Sequence, residues 1–314
     1  MNIIDLLKGK LSKKDINKIP RSFDVVGNIL IFNKPFNLGK KKEKILGETI
    51  LNTFHNIRTI CIKTKKYAGK YRTPTLKIMY GEKTKETVHR ENFCVFKLDV
   101  EKCYFSTRSG TERLRIVNKI SIDKGKNKKV LVMFSGIGAF PIEIKKLTKK
   151  GKVKEVYGVE INPIAHKYAL ENLKLNKLSV EKGNKNKKIK KVNIELIKGD
   201  VKKVKLPSGI KFDYILMPLP KEAEKFLDIA LKYSKKNTKI FLYLFLSESE
   251  YEKTKEKIEK KYNENKNENN YDKNNKNNKI EKTKTRKKIK VVSFTKAGQY
   301  AKDVYRVCIE LVIT

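Results

Sequence analysis

From residue 129 to residue 246 the sequence alternates short, continuous apolar runs with amphipathic segments, and that alternation restricts the fold more than any other feature. Residues 129–134, 153–161, 192–197, 212–217 and 240–246 read as strands, and 140–149, 163–175, 221–232 and 248–261 as helices. A strand covered on both faces is apolar throughout, and such strands separated by helices build a parallel sheet with helices packed on it. Asn162 is a capping residue followed by Pro163, whose missing N–H costs nothing in a first helical turn. Two further β-rich runs, 289–294 and 305–313, have no helix between them. The expected architecture is therefore α/β and Rossmann-like, ending in an antiparallel hairpin.

Ahead of it the pattern differs. Residues 22–32 carry Gly27-Asn28 between β-rich runs, a hairpin signal. Ile45, Leu46, Ile50, Leu51 and Phe54 repeat at helical spacing over 41–54, and short strands follow at 59–63, 76–80, 86–89 and 94–98. This predicts a small α+β domain over 19–110, an N-terminal extension of 1–18 before it, and the Rossmann-like domain over 111–314, which opens with a helix at 111–120. The tract 263–288 is Asn, Lys and Glu with almost no apolar residue. It buries too little to offset the entropy of ordering it and reads as a disordered insertion; the loop 181–191 is similar.

The chain has 75 Lys+Arg against 34 Asp+Glu in 314 residues, a net charge of +41. An excess of that size displaces counterions from a polyphosphate, which makes a nucleic acid the expected partner. Lysines in the low-complexity tracts account for part of it. The four cysteines form no CxxC pair, so neither a zinc site nor a redox dithiol is indicated, and they suit a reducing cytoplasm. No run approaches the roughly twenty apolar residues of a membrane span.

Four turns fall at the carboxyl ends of four consecutive strands, the edge where open α/β sheets bind ligands. The first is Phe134-Ser135-Gly136-Ile137-Gly138, whose glycines let the backbone turn sharply and approach a ligand. Pro141 stands where a dinucleotide fingerprint has its third glycine, which argues against a nicotinamide cofactor. The second turn holds Glu160 and Ile161; the acid can accept hydrogen bonds from ribose hydroxyls. The third holds Gly199 and Asp200, whose carboxylate can accept from an adenine amino group. The fourth is Pro218-Leu219-Pro220. Together these point to S-adenosylmethionine, with Phe134, Gly136, Gly138, Glu160, Ile161, Asp200, Pro218 and Pro220 as its contacts. Glycine in an unliganded turn is the plainer alternative.

Several segments carry a family resemblance. They are Ile19-Pro20-Arg21-Ser22-Phe23-Asp24, Gly81-Glu82-Lys83 through His89-Arg90-Glu91-Asn92, and Phe96-Lys97-Leu98-Asp99-Val100. The most specific is Tyr104-Phe105-Ser106-Thr107-Arg108-Ser109-Gly110-Thr111-Glu112-Arg113-Leu114-Arg115. Glu160-Ile161-Asn162-Pro163, Glu171-Asn172-Leu173-Lys174-Leu175-Asn176, Val291-Val292-Ser293-Phe294 and Val304-Tyr305-Arg306-Val307 add to it. On these residues the chain, from Ile19 onward, resembles the archaeal and eukaryotic tRNA guanine-37 N1-methyltransferases. The resemblance implies that Glu112 is the general base, that Arg72 stabilises charge on the guanine oxygen, and that Tyr104 lies beside the cofactor. On spacing alone Glu112 is a first-turn acid favoured by the helix dipole, and Arg72 one more phosphate-facing cation. Arg108, Arg113 and Lys70 are expected to contact the RNA, at the anticodon stem-loop. A cytoplasmic monomer is the expected form.

Three positions depart from the family pattern. Val132 stands in place of an Asp, Ala139 in place of a Pro, and Pro218 in place of an Asn. The last removes a side-chain amide that could hold a base edge. The small extra N-terminal module that the family often carries is expected to be absent, since only about eighteen residues precede Ile19. Two alternatives stay open: transfer of the aminocarboxypropyl group, as in the related wybutosine pathway, and a non-catalytic RNA-binding paralogue.

Overall fold

The first residues belong to a core. In the computed structural model, which describes residues 3–178, 193–263 and 287–314, helices α1 (Ile3–Leu6) and α2 (Lys13–Ile16) open the chain. Ile3, Leu7, Ile16 and Ile19 join one buried apolar cluster with Leu30, Phe32, Leu46, Ile50 and Ile60. A boundary at 18/19 therefore cuts through packed side chains; helices of a single turn show no periodicity long enough to be read.

Contacts divide the chain into two units, Met1–Asn127 with Phe134–Val204, and Lys128–Met133 with Lys205–Thr314. This differs from the expected division at 110/111. In the first unit β1 (Phe23–Val26) and β2 (Ile29–Phe32) form the hairpin around Gly27-Asn28. Helix α3 (Lys40–Thr53) crosses over to β3 (Thr59–Ala68), which pairs parallel to β2. Strand β4 (Thr73–Gly81) returns antiparallel, giving the order β1-β2-β3-β4. A separate hairpin, β5 (Glu86–Glu91) and β6 (Cys94–Asp99), leads to α4 (Gly110–Ile122). The chain then gives β7 (Lys128–Met133) to the second unit and comes back at Phe134. Helix α5 (Ala139–Leu147), β8 (Val153–Glu160), α6 (Pro163–Leu175) and β9 (Ile194–Lys198) follow, with β8 and β9 parallel.

The second unit continues with β10 (Phe212–Met217), α7 (Leu227–Tyr233), β11 (Ser234–Leu246), α8 (Tyr251–Asn263), β12 (Ile289–Ala301) and β13 (Val304–Ile313). Its strands lie in the order β12-β13-β11-β10-β7. Strand β10 is parallel to both neighbours, and β13 is antiparallel to both of its own, the terminal hairpin expected. Val130, Leu131, Val132, Tyr214, Ile215, Leu216, Ile240 and Phe241 are all buried, which is why these strands are apolar without alternation. Val132 sits opposite Leu216 in this core, where an acid would need a buried partner.

Of the two low-complexity segments, 181–191 and 264–286 lie outside the described residues. The ends of the longer tract are part of the fold. The Asn263 side chain donates to Ile289 O and accepts from Ile289 N–H, both at 2.8 Å, and Lys287 Nζ donates to Leu231 O at 2.6 Å. Among the described residues no helix is long and apolar enough to cross a membrane.

Candidate active site

Alternate residues of the turn after β7 are left-handed: Phe134 at φ 62°, Gly136 at 57° and Gly138 at 84°. Phe134 is the strained member, since a bulky side chain in that region costs roughly 1 kcal/mol or more. The two glycines serve different ends. A Cβ on Gly136 would meet one atom within 4 Å, the Tyr104 carbonyl oxygen at 3.8 Å, so its bare backbone borders open space. A Cβ on Gly138 would lie 3.2 Å from Ala169 Cβ and 3.3 Å from Ile142 Cδ1, so Gly138 lets α5 approach α6.

Strand β8 fixes this turn. Ser135 N–H donates to Val159 O at 2.9 Å and Gly136 N–H to Glu160 Oε2 at 2.7 Å. Glu160 Oε1 accepts the Asn162 N–H at 2.7 Å. Burial holds the Glu160 carboxyl above the ordinary carboxylate range, against the pull of the Asn162, Gly136 and Ile161 N–H groups. A carboxylate offers about four lone-pair sites, so Glu160 keeps acceptor capacity for a ligand.

Tyr104 reaches the turn on a loop fixed at both ends. Asp99 Oδ1 accepts the N–H groups of Glu101 and Lys102 at 2.9 and 3.0 Å. Asn162 Nδ2 donates to Lys102 O at 2.8 Å while its Oδ1 caps α6 by accepting the Ile164 N–H at 3.0 Å. Two further asparagines act as a side-chain strand. Asn172 Oδ1 and Asn176 Oδ1 accept the N–H groups of Lys97 and Val95 at 2.7 and 3.0 Å. Their Nδ2 groups donate to the carbonyls of the same residues at 3.1 and 2.7 Å. Asn172 also reaches Ile137 O at 3.0 Å, inside the glycine turn.

Glu112 lies in the first turn of α4 and is 6% exposed. Arg115 forks onto it, Nε to Oε2 at 2.7 Å and Nη2 to Oε1 at 2.8 Å. No role was read for Arg115 from the sequence, although an acid and a base three apart on a helix is a pairing signal.

Arg113, expected at the RNA, is 5% exposed and sits inside the protein. Its Nε donates to Glu91 Oε1 at 2.7 Å and Glu143 Oε1 at 3.1 Å, its Nη2 to Ser106 O at 3.2 Å, and its guanidinium lies 5.1 Å from the centre of the Phe105 ring. A buried cation shared by two carboxylates is a scaffold group, not one a phosphate can approach. Asn92 Nδ2 bridges Gly110 O and Glu143 Oε2 at 2.9 Å each, and His89 Nε2 lies 3.3 Å from Glu91 Oε2.

Burial, with the Glu91 carboxylate beside it, pushes Glu143 up to about 8 in spite of Arg113. Glu91, though desolvation opposes it, is held below its ordinary value by His89 and Arg113. The folded chain thus keeps on Glu143 a proton that the unfolded chain releases above its ordinary value of 4.5. The stability from that proton is complete below 4.5 and is lost as the pH rises through about 8. Melting temperature is expected to fall between those limits. Glu143→Gln, which keeps a hydrogen-bond donor toward Glu91 without titrating, flattens that slope; an unchanged slope in the variant rules the pair out as its source.

The remaining expected residues are spread out. Arg72 is half-buried and left-handed (φ 52°) in the turn joining β3 and β4, its N–H donating to Gly69 O at 3.2 Å. Lys70 is exposed in the same turn. Arg108 is exposed, with its Nε and Nη2 both 2.7 Å from Asp24 Oδ1. Beside that pair, Asp24, Lys63, Leu76, Phe105 and Thr107 line a small cleft. Asp200 Oδ1 accepts the Lys202 N–H at 2.9 Å. In the second unit Pro218 sits in a tight turn closed by Leu219 N–H to Met217 O at 2.8 Å. All four cysteines are buried and outside any disulfide. Burial pushes the Cys61, Cys94 and Cys103 thiols up to about 11, 12 and 12, which removes them as nucleophiles.

A family profile described as the TRM5/TYW2 methyltransferase domain matches residues 87–270, and one described as the TYW2 N-terminal domain matches 3–84. The chain is 36% identical over 232 residues to the tRNA (guanine(37)-N(1))-methyltransferase Trm5b of Pyrococcus abyssi, covering 74% of this chain and 62% of that one. It is 34% identical over 269 residues to the tRNA (guanine(37)-N(1))/4-demethylwyosine(37)-methyltransferase Taw22 of Nanoarchaeum equitans, covering 74% and 86%. The crystal structure of Pyrococcus abyssi Trm5b superposes with a TM-score of 0.74 at 31% identity, covering 97% of this chain and 78% of that one. With a profile matching more than half its length and a one-third-identical relative matched over most of its own, the chain belongs to the TRM5/TYW2 methyltransferase family.

Proposed function

We propose that this chain transfers a methyl group from S-adenosylmethionine to N1 of guanine 37 in tRNA, acting as a single chain in the cytoplasm on the anticodon stem-loop. One observation carries the reading. The open Gly136 backbone, the acceptor Glu160, the Tyr104 loop and the helix bearing Glu112 form one hydrogen-bonded frame, joined through Asn162 and Arg113. S-adenosylmethionine, when bound, supplies an electrophilic methyl on a sulfonium. The donor set fits it: Glu160 has about one lone-pair site left for a ribose hydroxyl, Asp200 offers a carboxylate to the adenine amino group, and Phe134, Ile161 and Tyr104 give apolar surface near the Gly136 backbone.

Neutral guanine N1 carries a hydrogen and has no in-plane lone pair, so its proton must leave as the new bond forms. Glu112 takes that proton. Arg72 stabilises the negative charge that then grows on the guanine oxygen. The acceptor guanine is a base taken out of its stack. Lys70 and Arg108 serve the phosphates.

The TYW2 N-terminal match and the name of the Nanoarchaeum equitans relative favour a second reading, with a wyosine-type base as acceptor. Mass spectrometry of nucleosides separates the two when both an unmodified tRNA and one carrying 4-demethylwyosine at position 37 are reacted. 1-Methylguanosine is expected; an aminocarboxypropyl adduct overturns the first reading. Absence of any product, with no cofactor binding by calorimetry, leaves a non-catalytic RNA binder.

A further inference from the structure

The second unit carries a projecting ribbon. Strand β10 ends at Met217, opposite Leu242 of β11, whereas β11 runs on to Leu246. That excess of four residues is roughly 13 Å of extended chain beyond the carboxyl end of β10. Strand β13 pairs with β11 to the end, Tyr305 opposite Leu246, and the β12–β13 ladder carries on through Gln299 opposite Tyr305 and Ala301 opposite Val304. The tip therefore stands past the carboxyl edge of the parallel strands β7, β10 and β11, the edge where such sheets meet their ligands. Register shifts at Lys296/Gln299 and Gln299/Ala301 bend it.

Tyr300 is carried on this tip. It is 56% exposed, yet its ring stacks on Phe245 with centroids 3.9 Å apart and planes 27° from parallel. Phe245 thus backs the tyrosine ring and holds it in one orientation, while more than half of the residue faces solvent. The cations beside it are disposed differently. Lys296 pairs with Glu248 and lies 4.2 Å from the centre of the Tyr305 ring, and Arg306 donates to Ala297 O within the ribbon. Lys302 is exposed at the tip. A chain with a net charge of +41 has ample hold on phosphates; what a fixed, exposed ring adds is a surface for a base.

We propose that Tyr300, seated on Phe245, is a stacking platform for one unpaired base of the RNA substrate. This rests on the reading that the substrate is RNA. Stacking on an aromatic side chain tolerates any base and needs one that is out of a duplex.

The test is equilibrium binding of an anticodon stem-loop RNA to the full chain by fluorescence anisotropy. Tyr300→Ala is expected to weaken binding at least about fivefold. Tyr300→Phe, which keeps the π face, binds as the unaltered chain does. Tyr300→Leu, which covers Phe245 without a π face, behaves as the alanine variant. A fully duplex RNA of equal length shows no difference among the four proteins. Stem-loop binding by Tyr300→Ala equal to that of the unaltered chain overturns the platform, as does a loss shared by the duplex. Failure of the unaltered chain to bind the stem-loop at all overturns the RNA reading itself, and the platform with it.

Discussion

Glu112→Gln is expected to lower turnover on tRNA by roughly two powers of ten or more at neutral pH, while S-adenosylmethionine binds as before. The substitution keeps the size of the side chain and an oxygen for the Arg115 fork, so the first turn of α4 holds its shape. What is lost is the capacity to take a proton. The Arg115 side chain is about one-third exposed, 32%, so water screens the charge left behind and the stability cost stays within about 1 kcal/mol. Single-turnover rates and calorimetry with the cofactor separate the two quantities. Full turnover in the variant returns Glu112 to the plainer role of a first-turn acid placed by the helix dipole. Equal losses of cofactor affinity and rate show damage to the frame instead.

What the sequence revealed and concealed follows from the range of each interaction. Strands β7, β10 and β11 were readable because burial on both faces demands unbroken apolar runs. The turn at Gly136 and Gly138 was readable because few other residues adopt its backbone angles. The Asn162 cap was readable because its partners are two and three residues away. Concealed were the pairings with no local signature. Asn172 and Asn176 meet β6 across 75 and 81 residues, and Asn92 meets Glu143 across 51. A buried acid such as Glu143, between Ile142 and Ile144, breaks the apolar face of α5 but does not name its partner. Arg113 was misplaced for the same reason: in a chain with so many surface cations, its neighbours in sequence say nothing of the two carboxylates that enclose it.

Those carboxylates make Arg113 the position where one substitution should do the most structural harm. Arg113→Ala removes the cation between Glu91 and Glu143 and leaves both acids buried, a change expected to cost about 3–5 kcal/mol and to lower the melting temperature by roughly 10 °C. The hold on Ser106 O and the contact with the Phe105 ring go with it. The segment just after Tyr104 then loses its tie to α4, so activity falls through lost order and not through lost RNA contact. Combining the change with Glu143→Gln separates the causes. Above about pH 8, where Glu143 is ionised, Glu143→Gln removes one of the two charges, so the missing cation leaves less uncompensated charge and the pair of substitutions should destabilise by clearly less than the sum of the two alone. Strict additivity would place the cost of Arg113→Ala in lost packing alone. An unchanged melting temperature with weakened RNA binding would instead put Arg113 back at the surface, and the buried network would have to be redrawn from Glu91 outward.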